Sequence, residues 1–430
     1  MYIETTQKLL DFIRRSPTAY HVTDNFIQML TGFTLLREED QWQLAPGGRY
    51  CVTRNGSSLI AFTLPEGPLT ALRVAAAHSD CPVLKVKPRP EMKQEGLYVK
   101  LNVEKYGGLP CAPWLDRPLS VAGRLAVRGR TGVSLRLVNV DRDLCLIPSL
   151  AIHMDRSLAD GVSCNPQVDL LPLFGDGESA GRFLCTVAEA AGVDEKDVLD
   201  YDLSLYSRTP GAIWGADREF FSSRALDDLQ CAWPLMEALR TAVPAPDCGA
   251  VCCVFDNEEV GSLSRQGAGS TFLTDVLERI FACLGLDTQA RQQVLARSTL
   301  VSADNAHAVH PNHPEKADPC NRPRLNGGIV LKYNAAQRYT TDALSAGWFK
   351  LVCEAAQVPW QTYTNRSDIP GGSTLGRIAL GRLGVSCVDA GLPQLAMHSA
   401  YETAGVRDTE YLLRAMGCYY SASTAVGVQM

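Results

Sequence analysis

Residues 251–262 read VCCVFDNEEVGS, and the fold can be worked out from them. The first five residues form an apolar run of the length of a buried strand, and the run opens directly onto Asp256, Asn257, Glu258 and Glu259. A solvated acidic turn seldom follows so apolar a strand. Two adjacent glutamates repel each other beside such a run, which is poor for stability but suitable if one binds a cation and the other moves protons. At the carboxyl end of a strand in an α/β sheet, such side chains project toward the ligand crevice.

Working outward, the second half of the chain alternates short apolar strands, 250–255 and 299–302, with helix-like stretches, 225–241 and 275–286. This predicts an α/β fold with helices flanking a central sheet. Between about 92 and 213 the texture changes. Segments 97–103, 119–127 and 133–140 read as strands joined by Gly and Pro turns, with little helical periodicity before 181–191. We expect a three-layer domain with a central mixed sheet, built from 1–91 and 214–430 and interrupted by an inserted β-rich domain over 92–213. At the start, Leu9, Leu10, Phe12 and Ile13 alternate with charged residues, which predicts an amphipathic helix ending at Ser16-Pro17 rather than a signal peptide.

Composition narrows the function. At 430 residues the chain is long enough for two domains, and 46% hydrophobic with 20% charged residues is ordinary for a globular protein. A formal net charge of −6 and the lack of basic runs offer no footprint for nucleic acid. No apolar run approaches the roughly 18 residues of a membrane span. The fifteen cysteines are scattered without a CxxC pair, which fits free thiols in a reducing compartment, and the cytoplasm is the expected location.

Four further stretches carry candidate chemistry, while GxSxG, GxxxxGK[ST], HExxH and a strand-borne GxGxxG are missing. In 74–80, VAAAHSD, an apolar strand ends in His78, and Asp80 could orient its imidazole, although a turn-forming Asp would explain HxD alone. In 223–229, SRALDDL, Asp227 and Asp228 begin an apolar helix, where the helix dipole by itself favours acids. In 300–313 another apolar strand ends in Asp304 and is followed by His307, His310 and His313, three of only seven histidines. His398 stands alone in 395–399. Together, His78, Asp227, Glu258/Glu259, Asp304 and His398 form a mixed oxygen and nitrogen set suited to two zinc ions or similar divalent metals.

The chain resembles the aspartyl aminopeptidase family of metallo-aminopeptidases over nearly its whole length. The stretches that carry the likeness are AAHSDCPVLKVKP (76–88), WLDRPLSVAGR (114–124), IPSLAIHM (147–154), SSRALDDL (222–229), FDNEEVGS (255–262), SADNAHAVHPN (302–312), LKYNAAQRY (331–339), SDIPGGSTLG (367–376) and QLAMHS (394–399). The resemblance implies a site with two divalent ions, zinc by expectation: His78 and Asp304 on one, Glu259 and His398 on the other, and Asp227 bridging. Glu258 would be the general base, with Asp80 assisting. It further implies that Lys332 and Tyr339 line a pocket for an acidic substrate side chain. His153 would reach into a neighbouring subunit's site, the insert would be a dimerisation domain, and the assembly would be a homo-oligomer, in the family often a dodecamer. Ala400-Tyr401-Glu402 stands where the family commonly has Ile-Arg-Glu, Gly371 where a cysteine is frequent, and Arg377 where a proline is.

The expected activity is release of single N-terminal residues from peptides, with Asp and Glu as first choice. A broad or neutral preference, a binuclear amidohydrolase on the same fold, and a non-catalytic oligomeric peptide-binding protein are the alternatives. The intact Glu258–Glu259 pair argues against the last.

Overall fold

The apolar run at 250–255 is the strand Cys248–Phe255, buried at every residue within a nine-stranded sheet. The computed structural model describes residues 1–159, 161, 163–372 and 374–423. Ala71–His78, Thr299–Ala303 and Ser386–Gly391 continue from Cys248–Phe255 in parallel, so four adjacent strands direct their carboxyl ends the same way. On the other side Ser58–Thr63 pairs antiparallel with Cys248–Phe255, and Ile329–Lys332 pairs antiparallel with Ser386–Gly391, so the sheet is mixed as expected. Phe255 lies opposite His78, and Ser302 lies opposite Ala76. That register brings His78, Glu258 and Asp304 out at one end of the sheet.

Successive strand residues face opposite sides. Cys252 and Val254 pack with Leu9, Phe12, Phe26, Leu235, Phe349 and Met416, all borne on helices of one layer. Val251, Cys253 and Phe255 pack with Phe272, Leu277 and Leu375 from helices of the other. The helix–sheet–helix layering expected from the sequence is therefore the one observed. The first helix, Tyr2–Arg15, buries Leu9, Leu10, Phe12 and Ile13 and ends where Ser16-Pro17 predicted.

A second sheet has six strands in the order Gly132–Asn139, Leu119–Gly129, Val198–Ser207, Val83–Gln94, Tyr98–Tyr106 and Leu173–Asp176, and it encloses its own core of Leu101, Leu125, Phe183 and Leu203. It starts at Val83, so the expected boundary between 91 and 92 falls inside a strand. Pro88 and Pro90 hide this strand from a pattern reading, because proline cannot donate to a ladder. The structure absorbs them where the pairing register shifts between Val86 and Glu91. A third sheet joins Ala212–Trp214, Phe220–Ser223, Glu402–Gly405, Pro393–Leu395 and Ala306–His307. No strand in it exceeds four residues, too few for a periodic signal.

Among the described residues no disulfide joins the cysteines, and the sequence reading expected none. Among the described residues, no helix is long and apolar enough to cross a membrane.

Candidate active site

The sheet's carboxyl end assembles the site. His78 is the last residue of its strand, and Glu258 and Glu259 occupy a single 3-10 turn, Glu258–Val260, just past theirs. Asn257 enters that turn in the left-handed conformation, which turns the chain sharply at the strand end. Asp304 follows Thr299–Ala303. Asp227 and Asp228 begin the helix Leu226–Thr241 with non-helical dihedrals, so regular turns start only after them.

Asp227 is the centre of the cluster. One of its oxygens lies 3.4 Å from His78 Nε2 and the other 3.2 Å from His398 Nε2, while Glu259 Oε1 stands 3.3 Å from the same His398 nitrogen. Two groups of donor atoms result, each within 4.8 Å: His78, Asp227, Asp228 and Asp304, and then Asp227, Glu259 and His398. Asp227 belongs to both. Asp227 Oδ1, Asp228 Oδ1 and Glu259 Oε1 are buried without a hydrogen-bond partner. Orphaned buried oxygens are costly unless something else satisfies them, and two sets of carboxylate and imidazole donors sharing one carboxylate fit a pair of divalent cations. His78 Nδ1 faces the Asp80 carbonyl at 3.0 Å, and His398 Nδ1 faces the Gly108 carbonyl at 2.9 Å. Each Nε2 is thereby left for the cluster, the usual arrangement of imidazoles that hold metals.

The electrostatics agree. Burial pushes the Glu258 carboxyl up to about 7, with His78 pulling down and Asp304, Asp80 and Asp227 pushing further. Burial and then Asp227 push Glu259 up to about 9. Burial likewise raises Asp228 and Asp304. Burial opposes charge on His398 as well, yet Asp227 and Glu259 outweigh it and hold the imidazole up to about 10. Without cations, so many buried acids keep protons among them; a divalent ion would take the place of those protons.

Asp80 does not enter the donor groups. Its carboxylate accepts the Glu258 and Glu259 backbone N–H groups at 3.1 and 3.2 Å and the Tyr106 hydroxyl at 2.6 Å, and its Oδ1 is 3.5 Å from His78 Nδ1. It fixes the glutamate turn and the histidine together. Tyr106 and Gly108 come from the β-rich unit. A Cβ on Gly107 would meet Glu259 Cβ at 3.1 Å, so that unit lies directly against the cluster.

A cavity opens over these groups, lined among others by Glu258, Asp304, His307, Lys332, Tyr339 and Met397. Lys332 is buried, donates to the Asn305 carbonyl at 3.1 Å, and has its Nζ 3.6 Å from Asp304 Oδ1 and 5.3 Å from the Tyr339 ring. The expected pocket residues are thus at the cavity, but Lys332 also pairs with a cluster acid. His153 lies in an exposed turn and is not among the cavity's lining residues. His310 and His313 stand outside, ring centroids 5.3 Å apart. Tyr401, where the family commonly has Arg, lies under the Arg117 guanidinium at 5.6 Å and donates to the Pro210 carbonyl at 3.0 Å.

Sequence reasoning noted Asp228 beside Asp227 but gave it no role, and it gave none to Tyr106 or Glu402. The Asp227-Asp228 doublet was a usable signal for the first, and Glu402 keeps the Glu that the family commonly has after QLAMHS, but neither it nor Tyr106 has a pattern that points to its contacts.

The family model described as aminopeptidase I zinc metalloprotease (M18) matches residues 12–420. A probable M18 family aminopeptidase 2 of Clostridium acetobutylicum is 42% identical over 429 residues, covering 97% of this chain and 99% of that protein. Among solved structures, the cryo-EM structure of the Ape4 and Nbr1 complex aligns with a TM-score of 0.94 at 36% identity, covering 97% of this chain and 86% of that one. The S. cerevisiae mApe1 dodecamer aligns with a TM-score of 0.85 at 28% identity, covering 98% and 97%. Matched from near its first residue to near its last by relatives that share its length, the chain belongs to the M18 family and is a metallo-aminopeptidase.

Proposed function

We propose that the enzyme releases acidic N-terminal residues from peptides at a site for two zinc ions. The observation that carries this reading is Asp227, buried and shared between the two donor groups. In this reading His78 and Asp304 hold one ion, Glu259 and His398 the other, and Asp227 both. Bound zinc supplies Lewis acidity toward a carbonyl and makes water a stronger acid. Glu258 takes a proton at its carboxylate and passes it to the leaving amine. Asp80 holds the Glu258 backbone in place for this.

The acidic preference is supported by Lys332. An ammonium has three donors, and the contacts to Asn305 and Asp304 use two. A substrate carboxylate beside Tyr339 would meet the third. The β-rich unit is taken as the dimerisation domain of a cytoplasmic homo-oligomer, with the dodecamer as the expected assembly; the likeness to the mApe1 dodecamer supports this.

A panel of chromogenic aminoacyl substrates tests the reading. Aspartyl and glutamyl substrates should turn over fastest, and a chelator should abolish release. Lys332→Met should reduce kcat/KM for Asp and Glu far more than for Ala or Leu, because only an acidic side chain would use the donor that Asn305 and Asp304 leave over. Full activity in exhaustively chelated protein, or an equal Lys332→Met loss on every substrate, would count against it.

A further inference from the structure

Glu402 is the first residue of the strand Glu402–Gly405, and its side chain is 1% exposed. Its Oε2 accepts the Leu226 N–H at 2.6 Å and the Asp227 N–H at 3.1 Å, while Oε1 accepts the His398 N–H at 2.7 Å. These two segments carry the shared carboxylate and the imidazole that faces it. Neither is held by regular secondary structure. Ala225 has φ 52, His398 has φ 67, and Asp227 and Asp228 depart from helical dihedrals although they open a helix. Positive φ at non-glycine residues persists only where surrounding contacts impose it. The contact common to both segments is the Glu402 carboxylate. Its strand is itself paired with Phe220–Ser223, Glu402 opposite Ser223, so the anchor is built into a sheet.

We propose that Glu402 is a positioning residue for the second ion: it ties the Asp227 and His398 backbones together so that both side chains face one cation with Glu259. The inference rests on the two-ion reading above. Glu402 is absent from the lining of the substrate cavity, so it acts through these neighbours rather than on substrate. Three N–H donors converging on one side chain require acceptors at both of its oxygens, and a carboxylate side chain offers an oxygen on each side. Glutamine has the same shape but one acceptor. It can serve either the Leu226–Asp227 pair or His398, and the other segment then confronts an NH2 group.

The test is zinc titration by calorimetry of chelator-treated wild type, Glu402→Gln and Glu259→Gln, with circular dichroism and light scattering to verify fold and assembly. Wild type should bind two ions. Glu402→Gln should bind the second ion, which both tied segments would hold, about tenfold more weakly or worse, and the first, which meets only Asp227 of the two, distinctly less so, the order expected when buried donors lose their acceptor. Its tighter ion should match the one retained by Glu259→Gln. Turnover should fall with KM little changed, and excess zinc should recover part of it, which a general loss of stability would not allow. Cobalt(II) substitution should show the visible band of one site diminished more than that of the other. If Glu402→Gln fails to fold, Glu402→Asp, which keeps two acceptors but shortens their reach, is read in the same way. Two wild-type ions with both sites weakened equally, or neither weakened, would overturn the role of Glu402 alone. A wild-type chain that binds a single ion would overturn the two-ion reading and this inference with it.

Discussion

Glu258 and Glu259 are adjacent in the chain and differ in what they face. Both line the cavity and both donate their backbone N–H to Asp80, but Glu259 directs Oε1 toward His398 Nε2 at 3.3 Å and belongs to a donor group, whereas Glu258 belongs to neither. Glu258→Gln should therefore lower turnover by about 10²- to 10⁴-fold with zinc content unchanged, the usual loss for a general base. Glu259→Gln should lose one ion; exchanged phenotypes would move the base by one residue. The pH profile gives a second check. Burial pushes Glu258 up to about 7, so below that pH the carboxylate that must accept a proton is increasingly protonated and kcat/KM should fall. Bound cations favour the carboxylate, so in the zinc enzyme the limb should lie below 7, and Glu258→Gln should remove it. The adjacent acids after an apolar strand were legible as chemistry, but which glutamate did what was not, because their side-chain directions depend on a left-handed turn at Asn257.

The element that best shows how the sheet aims its ligands is Ser386–Gly391, beside Thr299–Ala303. A Cβ on Gly391 would lie 1.7 Å from the Asp304 carbonyl oxygen and 2.6 Å from its carbonyl carbon, so the strand closes on the segment bearing Asp304 only because position 391 is glycine. Gly391→Ala should push Asp304 outward. The expected cost is about 1–3 kcal/mol of stability, the range for overpacking a tight contact. Urea unfolding of the chelated protein would measure it, and zinc titration should show weaker binding although no ligand is altered; an unchanged variant would mean that the strands simply move apart. Strands and helices long enough to show a period were readable, among them 250–255, 299–302 and 225–241. Val83–Gln94 was not read as a strand because of its prolines, and the two- to four-residue strands of the third sheet were invisible. Their pairing comes from distant partners rather than from local pattern.

At the scale of the whole molecule, His153 raises the question of whether one chain makes a complete site. It lies in an exposed turn of the β-rich unit and is not among the residues that line its own chain's cavity, so whether it serves a neighbour's site is a question for mixed oligomers. Co-assembling the Glu258→Gln chain with a His153→Ala chain should restore activity, since some sites then combine an intact Glu258 with a neighbour's intact His153. If His153 serves its own chain, every site keeps one defect and the mixture stays at the level of the single variants. Light scattering must show mixed oligomers for the comparison to hold.

The sequence by itself determined the α/β layering, the amphipathic first helix and the set His78, Asp227, Glu258, Glu259, Asp304 and His398, because apolar periodicity and strand-end acids are local features. The family resemblance also followed from the stretches that bear these residues. Only the tertiary structure decided that Asp80 clamps the glutamate turn, that Tyr106 and Gly108 of the β-rich unit reach the cluster, that Lys332 pairs with Asp304, and that Glu402 accepts from backbone 176 residues away. The physical reason is the same in each case. These are contacts between a side chain and the backbone or an acid of another segment. Sequence spacing carries no trace of such a contact until the strands are paired and the segments meet.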